Sequence, residues 1–203
     1  MQKKMMLPIK TTIIKFNSDI DPDDLRGLIE LSTTYQDIHL SRLDKYVKDV
    51  DEEYEEYEFL NDEADRIANI ALIGEELAII GLYKTIEVAI KKCAKLSELF
   101  TQTEISNMFK FNELKLNFLD KHIDIEKIEH FNSFDELRII NNCLKHSGKV
   151  NKELVKINAD KWILNSDIKN PRECFNRLLN PSLKFLNLLG SEIILVMQDN
   201  LDR

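Results

Sequence analysis

Residues 64–100 read ADRIANIALIGEELAIIGLYKTIEVAIKKCAKLSELF, and this stretch decides the fold. Wound as a helix, it carries apolar side chains on nearly every face: Ile67, Ile70, Leu72, Ile73, Leu77, Ile79, Ile80, Leu82, Ile86, Val88, Ile90, Leu96 and Leu99. A helix that is apolar all round has to be covered on all sides. The stretch therefore predicts the spine of a bundle, with any surplus apolar face continuing into a dimer interface. Gly74 and Gly81, seven apart, share one stripe, which marks either the close approach of a neighbouring helix or a kink. Asn69, Glu75 and Glu76 interrupt the apolar run, so it does not read as a membrane span.

The remaining composition agrees with an all-α chain. Among 203 residues there are only 5 Gly and 4 Pro, with 43% hydrophobic residues, which favours helix over strand and turn. A net charge of −8 disfavours broad non-specific nucleic-acid binding, which depends on neutralising phosphates. It leaves room for a local basic cleft. Cys93, Cys143 and Cys174 are odd in number and far apart in apolar helical settings, so they read as buried free thiols of a reducing, cytoplasmic compartment. His39, His122 and His130 each stand alone, and no Cys/His cluster has ligand spacing. No metal or cofactor is expected.

Two parts are predicted: an arm over 1–17 and a single helical domain over 18–203. The β-branched run from Leu7 to Phe16 suits a short strand, but a lone strand lacks a partner, so an extended arm is expected. Asp21-Pro22-Asp23-Asp24 opens the first helix, with Asp21 at the N-cap and Pro22 in the first turn. From Ser18 to Arg66 there are 17 acids against 5 bases. The densest part, 49–58, is either a surface for a basic partner or a solvated helix face. Asn61-Asp62 reads as a turn. Thr101 and Glu104 form a capping box for a helix running to about His122. Trp162 beside Ile163 and Leu164 reads as a plug over the core. Asn170-Pro171 and Asn180-Pro181 are each read as opening a closing helix, over about 171–179 and 182–198.

Chemistry concentrates on residues 133–148. Ser133 and Glu136 read as a second capping box, and Ser147-Gly148 as the helix end. On the predicted helix Phe134, Leu137, Ile140, Cys143 and Leu144 gather on one side. Arg138, Asn142, Lys145 and His146 gather on the other, with Asn141 on the border. Beyond the cap this polar arc contains no acid. Glu87, which follows Tyr83 on the spine, either faces that arc or pairs with Lys84 and Lys91.

The segment Leu-Arg-Ile-Ile-Asn-Asn-Cys-Leu-Lys-His-Ser-Gly-Lys-Val resembles the signature helix of HEPN domains, all-helical modules of prokaryotic toxin and antiviral-defence systems. The likeness lies in Arg138, Asn141 or Asn142, and Lys145-His146, in the form Arg-x-x-Asn-x-x-x-Lys-His. Here Ile139 follows Arg138, and the Arg-to-His spacing is longer than the usual family pattern. The resemblance implies a metal-independent endoribonuclease acting as a homodimer. In that reading His146 transfers protons, Arg138 and Lys145 hold the phosphate, and Asn141 or Asn142 orients it, with Glu87 in support. With His146 the single site histidine of each chain, two-fold pairing would complete the acid/base set. The other reading is a non-catalytic interaction or regulatory subunit of such a system, with 49–58 as the partner surface. A nucleotide-sensing module using the same arc is a third.

Overall fold

The structure, a computed structural model, describes residues 2–48 and 54–202, with side chains described for 6–45 and 59–200. Among these residues the chain is all-α. Its helices are α1 (Gln2–Ser18), α2 (Pro22–Lys48), α3 (Tyr54–Ser97), α4 (Gln102–Asn107), α5 (Phe111–Asp120), α6 (Phe131–His146), α7 (Lys152–Ile157) and α8 (Pro171–Asp202). A 3-10 turn, Ile125–Lys127, precedes α6, and one antiparallel bridge joins Lys149 to Asp167. The acidic residues 49–53 and the side chains of 54–58 lie outside the described residues.

α3 is the expected spine, 44 residues long. α1, α2, α6 and α8 all pack against it. Ile67, Ala71, Ala78, Ile79, Leu82, Ile86, Ile90, Cys93 and Ala94 are buried along it. Asn61-Asp62 does not break it: both are exposed residues within the helix, where modest helix propensity is outweighed by burial of Leu60 and Ile67 on either side. The two glycines receive α2. A Cβ on Gly74 would stand 2.7 Å from Ser32 Oγ, and one on Gly81 3.2 Å from Leu28 Cδ1. Ser32 Oγ donates to the Ala71 carbonyl at 2.6 Å, so the shared stripe is a close approach.

The N-terminal segment is not an extended arm. Residues 2–18 form α1, whose Ile14 is fully buried between α3 and α8. Burial of one helical face overrides β propensity, which chiefly measures fit to a pleated surface that this fold lacks. The hydroxyls of Thr11 and Thr12 donate back to the Pro8 carbonyl at 2.9 and 2.8 Å, absorbing polar groups that a strand would point outward. Lys10 pairs with Glu98 at 2.6 Å. α1 thus belongs to the same core as the rest of the chain.

The closing segment is one helix where two were expected. α8 runs from Pro171 to Asp202 with Pro181 inside it. Pro181 forgoes one backbone bond, but Leu178, Leu179, Leu183, Phe185 and Leu186 on both sides of it are buried and hold the helix in place. Asn170 precedes it with φ of 52°, the left-handed region. The helix expected over 101–122 divides into α4 and α5. Its Thr101–Glu104 capping box is present, but buried Met108 turns the chain between them.

Candidate functional site

α6 begins two residues before the expected box. His130 takes the N-cap position in a left-handed conformation, φ 66°, because Phe131 is pulled into an aromatic cluster with Phe111 and Phe185. Phe134 stacks on Phe185 at 4.7 Å between centroids and lies 6.0 Å from Tyr83. Ser133 therefore sits inside the first turn and caps nothing. Glu136 turns inward instead. Its carboxylate, in a nearly buried residue, accepts two bonds from Arg177 at 2.7 and 2.8 Å and one from the Trp162 indole at 3.1 Å. Trp162 is the buried plug that its neighbours implied.

Arg138 is held within the chain. Its Nε donates to Asp135 at 2.8 Å, its Nη2 lies 3.5 Å from Glu153 of α7, and the guanidinium sits 4.0 Å above the ring of Phe111 of α5. Only 12% of the side chain is exposed. The contact with Asp135 draws the fork towards the start of α6, the direction in which helical side chains lean. His146 stands eight positions on, ~12 Å along the helix axis, and is exposed. Within one chain the two positions are thus about two helical turns apart.

The other candidates separate similarly. Asn142 is half-buried and Lys145 exposed, so both share the outer stripe with His146. Asn141 is fully buried. Its amide donates to Asn142 Oδ1 at 3.3 Å, and its own Oδ1 has no hydrogen-bond partner among the described residues. Glu87 takes the local alternative, bonding Lys91 at 2.6 Å and Lys84 at 3.2 Å. Those lysines hold its carboxyl below the usual range, although burial opposes them as the largest single influence. Burial, reinforced by the nearby Glu87, pushes the Tyr83 phenol up to about 12, while Arg138 partly offsets it. The cavity between Tyr83, Glu87, Phe111 and Phe134 is about 10 Å³, room for one water at most. The larger clefts, about 480 and 560 Å³, lie around the α1–α2 turn.

Some features of the site were not anticipated. Asp135 is the i−3 neighbour of Arg138 on α6, whereas Glu153 and Phe111 come from α7 and α5, and no local pattern announces those two. The basic character beyond α6 was visible in a count: residues 145–172 contain 7 Lys or Arg and 3 Asp or Glu in an otherwise acidic chain. Lys145, Lys152, Lys156 and Lys161 are all exposed there, whereas Lys149 pairs with Asp167 and Arg172 with Glu75. Among the described residues no group of three His, Cys, Asp or Glu has the arrangement of a metal site. The three cysteines are free and buried, and among the described residues no helix is long and apolar enough to cross a membrane. Comparison of the chain with protein-family models, with curated proteins and with solved structures returned no match.

Proposed function

We propose that this chain is a HEPN-like helical subunit that works through protein contacts rather than catalysis. One observation carries the reading: Arg138, the phosphate-holding group of the nuclease scheme, is committed inside the monomer to Asp135, Glu153 and the face of Phe111. Freeing it for RNA would cost those ion-pair and ring contacts. Its role here is to clasp α5, α6 and α7 together. The test is incubation of the purified chain with mixed cellular RNA in EDTA, beside a His146→Ala version matched for folding. Intact RNA in both is the expected result. Cleavage by the parent that His146→Ala abolishes would overturn the proposal.

A second reading keeps the metal-independent endoribonuclease, and a specific observation favours it. His146 and Lys145 are exposed at the end of α6, Lys152, Lys156 and Lys161 are exposed in the segment that follows, and no ion pair of Lys145 or His146 occurs among the described residues. An exposed imidazole next to an exposed lysine in the chain suits an anionic backbone. In this reading two chains pair so that Arg138 and His146 of both meet at one RNA strand, with Asn142 orienting the phosphate. The same RNA assay separates the two.

A further inference from the structure

α1 presents an apolar stripe on each of two opposite sides, and only one is covered. At 100° per residue, Met6, Ile9, Ile13 and Phe16 fall within an arc of roughly 80°, with Leu7 and Ile14 on the far side of the helix. The far side is the seated one. Ile14 is fully buried, Leu7 packs against the core, and α3 and α8 both touch the helix. On the outer stripe Met6 is 47% exposed, Ile9 54%, Ile13 38% and Phe16 81%. Taking about 200 Å² for a large side chain, the four leave an apolar ridge on the order of 400 Å² in water.

The same helix is basic. It contains Lys3, Lys4, Lys10 and Lys15 and no acid, whereas the rest of the chain has 24 bases against 36 acids. Every other described helix carries at least one Asp or Glu. Lys10 lies to one side of the ridge, tied to Glu98 at 2.6 Å. Lys15 lies to the other side, exposed and without an ion pair among the described residues. The cleft bordered by Phe16 sets Asp19, Asp21 and Asp24 beside Lys84 and Lys92, so the basic character is that of α1 itself.

We propose that α1 docks on an anionic phospholipid surface, lying in the plane of the interface with Met6, Ile9, Ile13 and Phe16 at the acyl boundary. Charge selects the surface. A helix with an apolar stripe, lysines and no acid is drawn to anionic headgroups, and lysine stems can lie along the apolar layer while their ammonium groups stay in water. Shape separates lipid from protein. The ridge is the crest of a single helix, and its area is about half of the ~800 Å² per partner of a stable protein interface. A bilayer accepts a convex ridge without a complementary groove. The contact uses α1 alone and needs no helix to cross the bilayer, so it stands whichever reading of α6 holds.

The test is co-sedimentation of the full chain with sucrose-loaded vesicles at about 0.1 M salt, where surface charge is still felt. One set contains phosphatidylglycerol and phosphatidylcholine, the other phosphatidylcholine alone. The parent should partition onto the acidic vesicles at least ~10-fold more strongly than onto the neutral ones. Ile9→Gln with Phe16→Gln removes apolar surface without adding charge and should lower that partition by at least ~10-fold. Both positions are exposed, so the far-UV spectrum and Tm should not change. Lys15→Gln should lower binding to the acidic vesicles by about 5-fold and leave the neutral ones unaffected. Leu31→Gln with Leu77→Gln, at sites on α2 and α3 that are 72% and 59% exposed, should leave binding intact. A parent that stays in the supernatant, as a helix made for a protein partner would, overturns the proposal. So does equal binding to both vesicle types, binding that survives Ile9→Gln with Phe16→Gln, or equal loss on Leu31→Gln with Leu77→Gln.

Discussion

Replacing Glu136 by Ala tests the organisation of the region around α6. The carboxylate accepts a two-pronged bond from Arg177 and a third bond from the Trp162 indole. Removing one partner of a fully buried pair costs about 3–5 kcal/mol. Arg177 is 39% exposed, so water recovers part of that, leaving about 2 kcal/mol. The indole N–H, on a residue 4% exposed, loses its acceptor at about 1 kcal/mol or more. The expected loss is therefore about 3 kcal/mol, equivalent to a fall in Tm of about 6–12 °C for a chain of this size. Glu136→Gln retains an acceptor and should lose about half as much. Trp162 is the chain's single tryptophan, so its fluorescence follows urea unfolding and also reports the altered indole environment. Ser133→Ala supplies the contrast. If Ser133 and Glu136 formed a capping box, it would cost about 1 kcal/mol; the structure predicts a few tenths. A loss below 1 kcal/mol for Glu136→Ala, or a larger loss for Ser133→Ala, would refute the reasoning.

Four further outcomes can be checked independently. Bonding from the Thr101 backbone, followed by Lys121, holds the Glu104 carboxyl down to about 2. Because its folded value lies below the ordinary 4.5, its contribution is full above that pH and vanishes as pH falls towards 2. Urea titrations across that window should fall more steeply for the parent than for Glu104→Gln, by on the order of 1 kcal/mol once screening is allowed for. Gly190→Ala places a Cβ 2.6 Å from Ser18 Cβ and should cost about 1–3 kcal/mol by overpacking; Ser18→Gly in the same chain should recover most of it on thermal melts. Asn141→Leu replaces an amide whose oxygen has no partner among the described residues with an apolar group of similar size, so calorimetry should find it neutral or stabilising. A loss above about 2 kcal/mol would show that the amide is used. Arg138→Ala should cost about 1–2 kcal/mol through its ion pairs and ring contact, and Arg138→Lys should recover little, because an ammonium reproduces neither the fork nor the stacking.

The parts legible in the sequence were those fixed by neighbours along the chain. The spine declared itself because Ile67 to Leu96 leave no polar face. The Thr101–Glu104 box closes within four residues, and the Glu87 pairing within eight, so local spacing sufficed for the first and offered the second as an alternative. Ser133 and Glu136 have the same spacing as Thr101 and Glu104, yet fail as a box. Their carboxylate is claimed by Arg177, 41 positions away, and no local pattern records that competition. The β-branched run 7–16 misled for a related reason. Propensity favoured extension, and only the presence of α3 and α8 on either side of Ile14 decides for helix. The stripe Arg138, Asn142, Lys145 and His146 was correctly placed by periodicity. Periodicity says nothing about Glu153 or Phe111, and those residues turn Arg138 from an available cation into a clasp.

The seating of α1 bears on how the chain is made. Asp19 at the end of α1 accepts from Asn187, 168 positions later, and Ser18 rests against Gly190. Synthesis proceeds from the N-terminus, so the first helix emerges long before half of its cover exists. Until α8 is complete, Ile14 has only α3 beside it, and the nascent chain carries an exposed apolar helix through most of translation. Contacts of such sequence separation also slow folding. A segment made before α8 is therefore among the last to reach its final place.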